Sequence, residues 1–447
     1  MMKKIVKKGS IREKIISFAI PAFVASIFSE FYGLTNSAIV GNYVSLEALS
    51  AVSACTWICN IFNFTFYGLG MGAGILVANY YGAKDHENLK KSLDTSIVFA
   101  IGGGIILTII SELALPLLMK WCNIGADIYD MAMSYLRVYL LGTTAVLTYN
   151  MCFFILRSFG DTKHQLYYSI ISSVVNLAIG MLLVRVFNLN VIGTAIATIT
   201  SQFIMDFLAL RKMFTYDEAF IFDIKNISFS WVVIKDICRL GIPAGLQNML
   251  IAISSMMVQS YVNTFPNEII SGVGIAEKVS AWAQIPSVAV SAGTMAMVSQ
   301  YVGAKDYQKV REVIKESLII STTATIVAVV AVFSASDILV KIFNDDPEVI
   351  RSSATMIKIL CCSYIFLNFS HIYNGACRGG GNVKAPMIVA IAGQVICKYL
   401  FVRIGLSIIY SEYIVYCASA IGYSMAGIFA AIYFRTSKWT LEHQLRI

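Results

Sequence analysis

Asn79–Lys91 reads NYYGAKDHENLKK, and Gln300–Glu312 reads QYVGAKDYQKVRE. GAKD thus stands at 82–85 and again at 303–306, each time after a long apolar run and before a basic, helix-like segment. A second pair keeps the same register. RSFGDTK at Arg157–Lys163 and RGGGNVK at Arg378–Lys384 match at Arg157/Arg378, Gly160/Gly381 and Lys163/Lys384. Near the start of each half, AIPA at 19–22 faces GIPA at 241–244. Three anchors in one order describe a duplicated chain, with halves 1–225 and 226–447 joined through the polar stretch Arg211–Lys235. The GAKD pair reads as one corner used twice, where Gly82 and Gly303 allow a tight turn and the Lys and Asp are solvated.

The apolar runs before these corners are long enough to cross a bilayer, which takes about 20 residues. The chain has 447 residues, of which 57% are hydrophobic and 13% charged, with mean hydropathy +0.72. A soluble chain carries about 25% charged residues, so this one lacks the polar surface to cover a globule in water. The runs are too long for the alternating strands of a membrane barrel. The expected class is an all-α polytopic membrane protein with twelve spans. They lie near 15–40, 49–79, 95–118, 131–153, 166–187, 191–210, 240–263, 272–300, 318–338, 352–375, 386–404 and 411–434.

Net charge is +8, but its distribution argues for a membrane partner and against nucleic acid. Sorted by alternating loops, twenty-five Lys and Arg fall on one side and five on the other (Lys120, Arg185, Lys341, Arg351, Arg403). Basic residues are retained in the cytoplasm. Both termini are therefore expected there, in a bacterial inner membrane. The first span is too long for a cleaved signal peptide and has no small-residue cleavage site after it. The ten cysteines contain no CxxC and the four histidines are far apart, so no zinc site or disulfide framework is indicated.

Six spans per half is an even number, so both halves enter the membrane from the same side as a parallel repeat. Two such bundles around a central cleft can rock and open it to either face, the mechanism of secondary transporters. A monomer suffices for this.

The anchors resemble the multidrug and toxic compound extrusion (MATE) family. Its members show a G-A-x turn after the second helix of each half and an R-x-x-G-D-T-K-like turn between the fourth and fifth. Here these are Gly82-Ala83-Lys84 and Gly303-Ala304-Lys305, then Arg157–Lys163 and Arg378–Lys384. The resemblance covers nearly the whole chain. It implies export of organic cations or other amphipathic small molecules in exchange for Na⁺ or H⁺. Two positions depart from it. Asn36 stands where many members carry an acid fifteen residues after the first-helix proline. Gly180 stands where some carry an Asp four residues after Asn176. Members of a bacterial MepA-like branch look similar at Asn36.

Polar residues inside apolar spans are expensive and need a reason. The first span carries Ser26, Ser29, Glu30, Gly33, Asn36 and Ser37 at helical spacing. The second offers Asn60, Asn63 and Tyr67; the seventh Asn248, Ser255, Gln259 and Asn263; the tenth Tyr364, Asn368 and His371. Such stripes line a wet cleft or hold helices together by hydrogen bonds. Glu30 is the sharpest candidate. A mid-span carboxylate can bind a proton or transiently Na⁺, and can attract a cationic substrate; its alternative is a permanent pair with Lys398 or Arg137. Glu277 and Lys278 in the eighth span are adjacent and do not face one another. His371 suits a proton relay or a packing role. Glu112 reads as solvated at an outer helix end, and Asp206 as an interfacial charge near Arg211. Met256, Met257, Met295 and Met297 suit an adaptable drug surface or ordinary packing.

The GxGxxA match within Gly68–Gly74 has no preceding strand and reads as close helix packing. No Walker A, hydrolase elbow or HExxH sequence occurs, so neither an enzyme nor a bound cofactor is expected. A lipid-linked-sugar flippase of related fold is the nearer alternative, but should line its cleft with arginines. A membrane-embedded enzyme or receptor is the farther one.

Overall fold

A computed structural model describes residues 10–43, 46–121, 125–214 and 226–437, without the side chains of 29–43, 46, 49, 121 and 126. The described chain is helical and contains no strand. Twelve successive helical elements match the twelve expected spans. They are α1 (Ile11–Tyr43), α2 (Leu46–Ala83) and α3 (His86–Lys120); α4, bent by 46° between Asp127–Leu141 and Thr143–Ser158; α5 (Thr162–Val186), α6 (Asn190–Phe214) and α7 (Trp231–Val262); α8, whose parts Asn267–Ala281 and Ile285–Gly303 flank a 3₁₀ turn; then α9 (Tyr307–Ser334), α10 (Pro347–Gly379), α11 (Lys384–Ile408) and α12 (Glu412–Thr436). Among the described residues nine of these are long and apolar enough to cross a membrane, ten with α4. Helices are required because a bilayer offers no water to satisfy exposed backbone groups. Most elements overrun the sequence-derived spans at their basic or polar ends, where the helix continues past the apolar stretch.

Lipid-facing surface is apolar. On α3, Ile105, Ile106, Ile109, Ile110 and Leu113 are exposed, Leu113 by 78%. A water-soluble protein does not present such a continuous apolar stripe.

By internal contacts the chain forms two units. One spans Val24–Gly245. The other gathers the start of α1 up to Phe23 with the chain from Leu246 onward. This division does not coincide with a cut at 225/226. The helices α1 and α7 each change unit, two residues after Pro21 and Pro243.

In the first unit α2 and α4 are central. A Cβ on Gly68 would lie 2.5 Å from the Gly241 carbonyl oxygen and 2.6 Å from the Gly245 nitrogen, so α2 and the first half of α7 touch backbone to backbone. Gly72 meets α7 in the same way at Ile237 and Gly241, while Gly70 and Gly74 let α2 approach Asn150 and Phe154 of α4, so the Gly68–Gly74 run serves two neighbours. The linker just before α7 is clasped to α3. Asp94 Oδ2 accepts from the Ser228 amide at 3.0 Å, and Thr95 Oγ1 accepts from the Ser230 amide at 3.1 Å. In the second unit α10 is central, with Ile357, Leu360, Cys361, Tyr364 and Leu367 packed against α8, α11 and α12. The start of α1 joins this unit through Ile11, Ile15 and Ala19, beside Val290, Val298 and Ile314. Inside a membrane such contacts stabilise by dispersion and fit, since lipid tails are as apolar as the side chains they replace.

The repeated motifs are helix ends. The Lys84 amide donates to the Tyr81 carbonyl and the Asp85 amide to the Tyr80 carbonyl; the Lys305 and Asp306 amides bond to Val302 and Tyr301 in the same way. This is the Schellman pattern, in which one residue turns left-handed and the orphan carbonyls are satisfied. The residue that turns is the lysine, with φ +57° at both Lys84 and Lys305. Gly82 and Gly303 remain helical, so the reading that these glycines make the turn is corrected. In the second motif the turning residue is glycine, with φ +82° at Gly160 and +83° at Gly381. Each turn then starts the next helix. Asp85 accepts from the Asn88 amide, Asp161 from His164, Asp306 from Lys309 and Asn382 from Ala385. The two GAKD aspartates are therefore caps, not free solvated charges.

A left-handed non-glycine residue costs roughly 1 kcal/mol. Lys84→Gly or Lys305→Gly is expected to raise the thermal midpoint in detergent, and Gly160→Ala or Gly381→Ala to lower it by a similar free energy. The Lys309 side chain donates to Asp306 at 2.6 Å and holds that carboxyl below its ordinary range. Its contribution should be complete above pH ~4 and fade as pH falls through the lowered folded value. Asp306→Asn should remove that dependence, read as the difference between midpoints at pH 7 and pH 3.

Candidate functional site: polar groups inside the spans

Polar side chains within the spans fall into separate clusters in each unit. In the first unit, buried Asn176 of α5 donates to Thr198 Oγ1 of α6 at 3.4 Å, and Ser172 donates to the Ser201 carbonyl. On α2, Asn60 and Asn63 are partly buried, and Asn63 donates to the Tyr139 hydroxyl of α4 at 3.2 Å. Tyr67 packs edge-on to Phe154, 4.9 Å between centroids. Arg157 ends α4 with its guanidinium 4.1 Å from the Phe153 ring centre, and its Nε donates to Gln165 Oε1 at 2.8 Å.

In the second unit, Asn368 of α10 is fully buried. Its Nδ2 donates to Thr322 Oγ1 at 2.9 Å, and its Oδ1 accepts from Ser321 of α9. The His371 carbonyl accepts from Ser291 of α8 at 2.6 Å. Arg378 donates to Gln247 of α7 at 2.7 Å. Lys398 of α11 is buried, donates to Ser255 of α7 at 3.2 Å and lies in the field of Glu277 of α8. Around the same place, Tyr364 and Tyr423 stand 5.7 Å apart and both reach Gln284. A π-helical turn over Ile391–Cys397 sets Lys398 here, and the Gln394 carbonyl within it accepts from Ser254.

The expected site residues are thus distributed rather than gathered. Glu30 and Asn36 lie on α1, but their side chains are outside the described residues. Asn60, Asn63 and Tyr67 share a stripe on α2. Asn248 and Gln259 lie on α7, where Gln259 donates to Asn263 at 2.9 Å. Glu277 and Lys278 are both exposed within the unit. Met256 and Met257 are exposed, whereas Met295 and Met297 are buried in packing.

Two readings change. Arg137 is paired with Glu112 at 3.9 Å across α3 and α4, so Glu112 is not simply solvated. Lys398 donates to Ser255 on α7, and a pair between it and Glu30 lies outside the described residues. Asp206 is not an interfacial charge: it is 5% exposed. The sequence put it near a basic helix end, but the face of α6 on which it sits turns toward α4 and α5. Gln165, Gln202 and Gln284 drew no notice in the sequence. Gln165 and Gln284 are marked only by neighbours on other helices, and Gln202 only by its unpartnered oxygen.

The family model described as MatE matches residues 21–182 and, a second time, residues 243–404. The chain belongs to the MatE family. The two matches repeat the internal register seen in GAKD. Among relatives, a probable multidrug resistance protein NorM of Thermotoga maritima is 26% identical over 385 residues, covering 85% of this chain and 82% of its own. The multidrug export protein MepA of Staphylococcus saprophyticus is 23% identical, covering 90% and 89%. Among solved structures, an outward-facing multidrug resistance MATE family transporter of the MOP superfamily superposes with a TM-score of 0.91 at 19% identity, covering 97% of each chain. A MOP superfamily transporter from Pyrococcus furiosus gives 0.86, also at 19% identity and 97% of each chain. At that identity the structures establish the twelve-helix fold, and the family is one of membrane transporters.

Asn368→Leu would leave a buried hydroxyl on Ser321 and a partly buried one on Thr322 without their amide. The expected loss of stability is about 1–3 kcal/mol, read as a lower thermal midpoint of the purified protein.

Proposed function

We propose that the chain is a secondary active antiporter of the bacterial inner membrane, with both termini in the cytoplasm. It exports amphipathic or cationic small molecules in exchange for Na⁺ or H⁺ by alternating access. The observation that supports this most is the double MatE match, with one transporter half written twice in one register. The names of the multidrug resistance relatives supply the substrate class. The lack of a Walker A sequence in the chain favours an ion gradient over ATP as the driving force.

In this reading Glu30 is the acidic member of the α1 stripe and does the coupling. A single carboxylate in a span cannot favour both a cationic substrate and a competing cation in one state, and such competition links their movements. The amides and hydroxyls on α2, α7 and α10 supply adaptable hydrogen bonds to varied substrates. Lys278 and Glu277, exposed on α8, offer further polar contacts.

Glu30→Gln should abolish ion-driven efflux of an organic cation dye from proteoliposomes while the protein inserts and folds normally. Separate Na⁺ and pH gradients identify the ion; full transport by the variant would remove Glu30 from the mechanism.

A further inference from the structure

One oxygen on each of two α6 side chains has no hydrogen-bond partner among the described residues. Gln202 and Asp206 are four residues apart and therefore lie one above the other on the same helical face. Asp206 Oδ1 is enclosed and has no hydrogen-bond partner among the described residues, and the same is true of Gln202 Oε1. No ion pair of the described residues includes Asp206. Buried carboxylates are normally paired or hydrogen-bonded.

The groups that face this spot are few. From α4 come Tyr149 and Cys152, both in the field of Asp206, and the Tyr149 hydroxyl also lies near Ser169 of α5. Arg157 of α4 also senses Tyr149, but its guanidinium is taken up by Gln165 and the Phe153 face. Tyr67 of α2 belongs to Arg157. From α5, Tyr168 lies toward Arg211 at the helix end. Tyr135, on the first half of α4, packs at the opposite end of α6 beside Val191. Two orphan acceptor oxygens, Asp206 Oδ1 and Gln202 Oε1, thus share one face of α6, and no ion pair of the described residues answers the carboxylate.

We propose that Gln202 and Asp206 form a binding site for a small monovalent cation, a proton or sodium, inside the first unit. One carboxylate balances one charge. Oxygen donors suit hard ions, so a soft or divalent metal is disfavoured. A proton on Asp206 turns the carboxyl into the donor that Gln202 Oε1 lacks. A sodium ion takes both oxygens as ligands. Either occupant satisfies both orphans at once. Use of this site in coupling rests on the antiport reading above; occupancy does not.

The test uses the full-length protein in lipid nanodiscs. Its thermal midpoint is measured at pH 8 in NaCl and in choline chloride of equal ionic strength, then in choline chloride from pH 8 to 5.5. A rise of several degrees with NaCl assigns sodium; a rise only on acidification assigns a proton. Asp206→Asn should lose most of the rise. Gln202→Leu should shift the sodium or proton dependence to roughly tenfold higher concentration. No rise in either arm for the wild type, or an unchanged rise in both variants, overturns the site. Counterflow of tetraphenylphosphonium by the wild type is scored separately. Its failure with the ion response intact counts against the export reading alone.

Discussion

Every polar group in this chain that enters the hydrocarbon region must find its partner within protein, because lipid offers none. Most of the described polar groups follow that rule. Backbone groups are spent inside helices. Where a helix stops at a GAKD or RxxG corner, the last carbonyls are taken by the turn itself, and the next helix begins on an Asp or Asn cap. At three of the corners one residue completes the first helix and the following Asp opens the second; at the fourth, Val383 lies between Asn382 and the helix that starts at Lys384.

The same rule sorts the side chains. Asn176 with Thr198, Asn63 with Tyr139, Asn368 with Ser321 and Thr322, and Lys398 with Ser255 each join two helices. These bonds hold helices in place where hydrophobicity cannot, since lipid competes equally for apolar faces. The orphan oxygens of Gln202 and Asp206 stand apart from this pattern, which gives them their interest as a cation site.

Duplication kept the corners and released the interiors. Lys84 and Lys305 share one φ, as do Gly160 and Gly381 within a degree. The equivalent arginines have diverged: Arg157 holds Gln165 on the following helix, while Arg378 holds Gln247 on α7. A corner tolerates little change because its backbone geometry fixes which residues fit. An interior polar pair can be replaced by another pair, provided both members are satisfied.

Twelve apolar runs, the doubled motifs and the family were legible in the sequence, because hydropathy and repeated spacing are properties of the chain read in order. The existence of polar stripes was legible for the same reason. Their pairings were not. Arg137 with Glu112, Lys398 with Ser255 and the burial of Asp206 depend on the rotation of each helix about its axis and on which neighbour meets it. The lysine turn in GAKD was also hidden, since glycine is the usual occupant of that conformation and stood two residues away. The sequence set what must cross the membrane and how often; only packing decided which buried charges are answered and which are left open, because contact between distant helices is not written in local order.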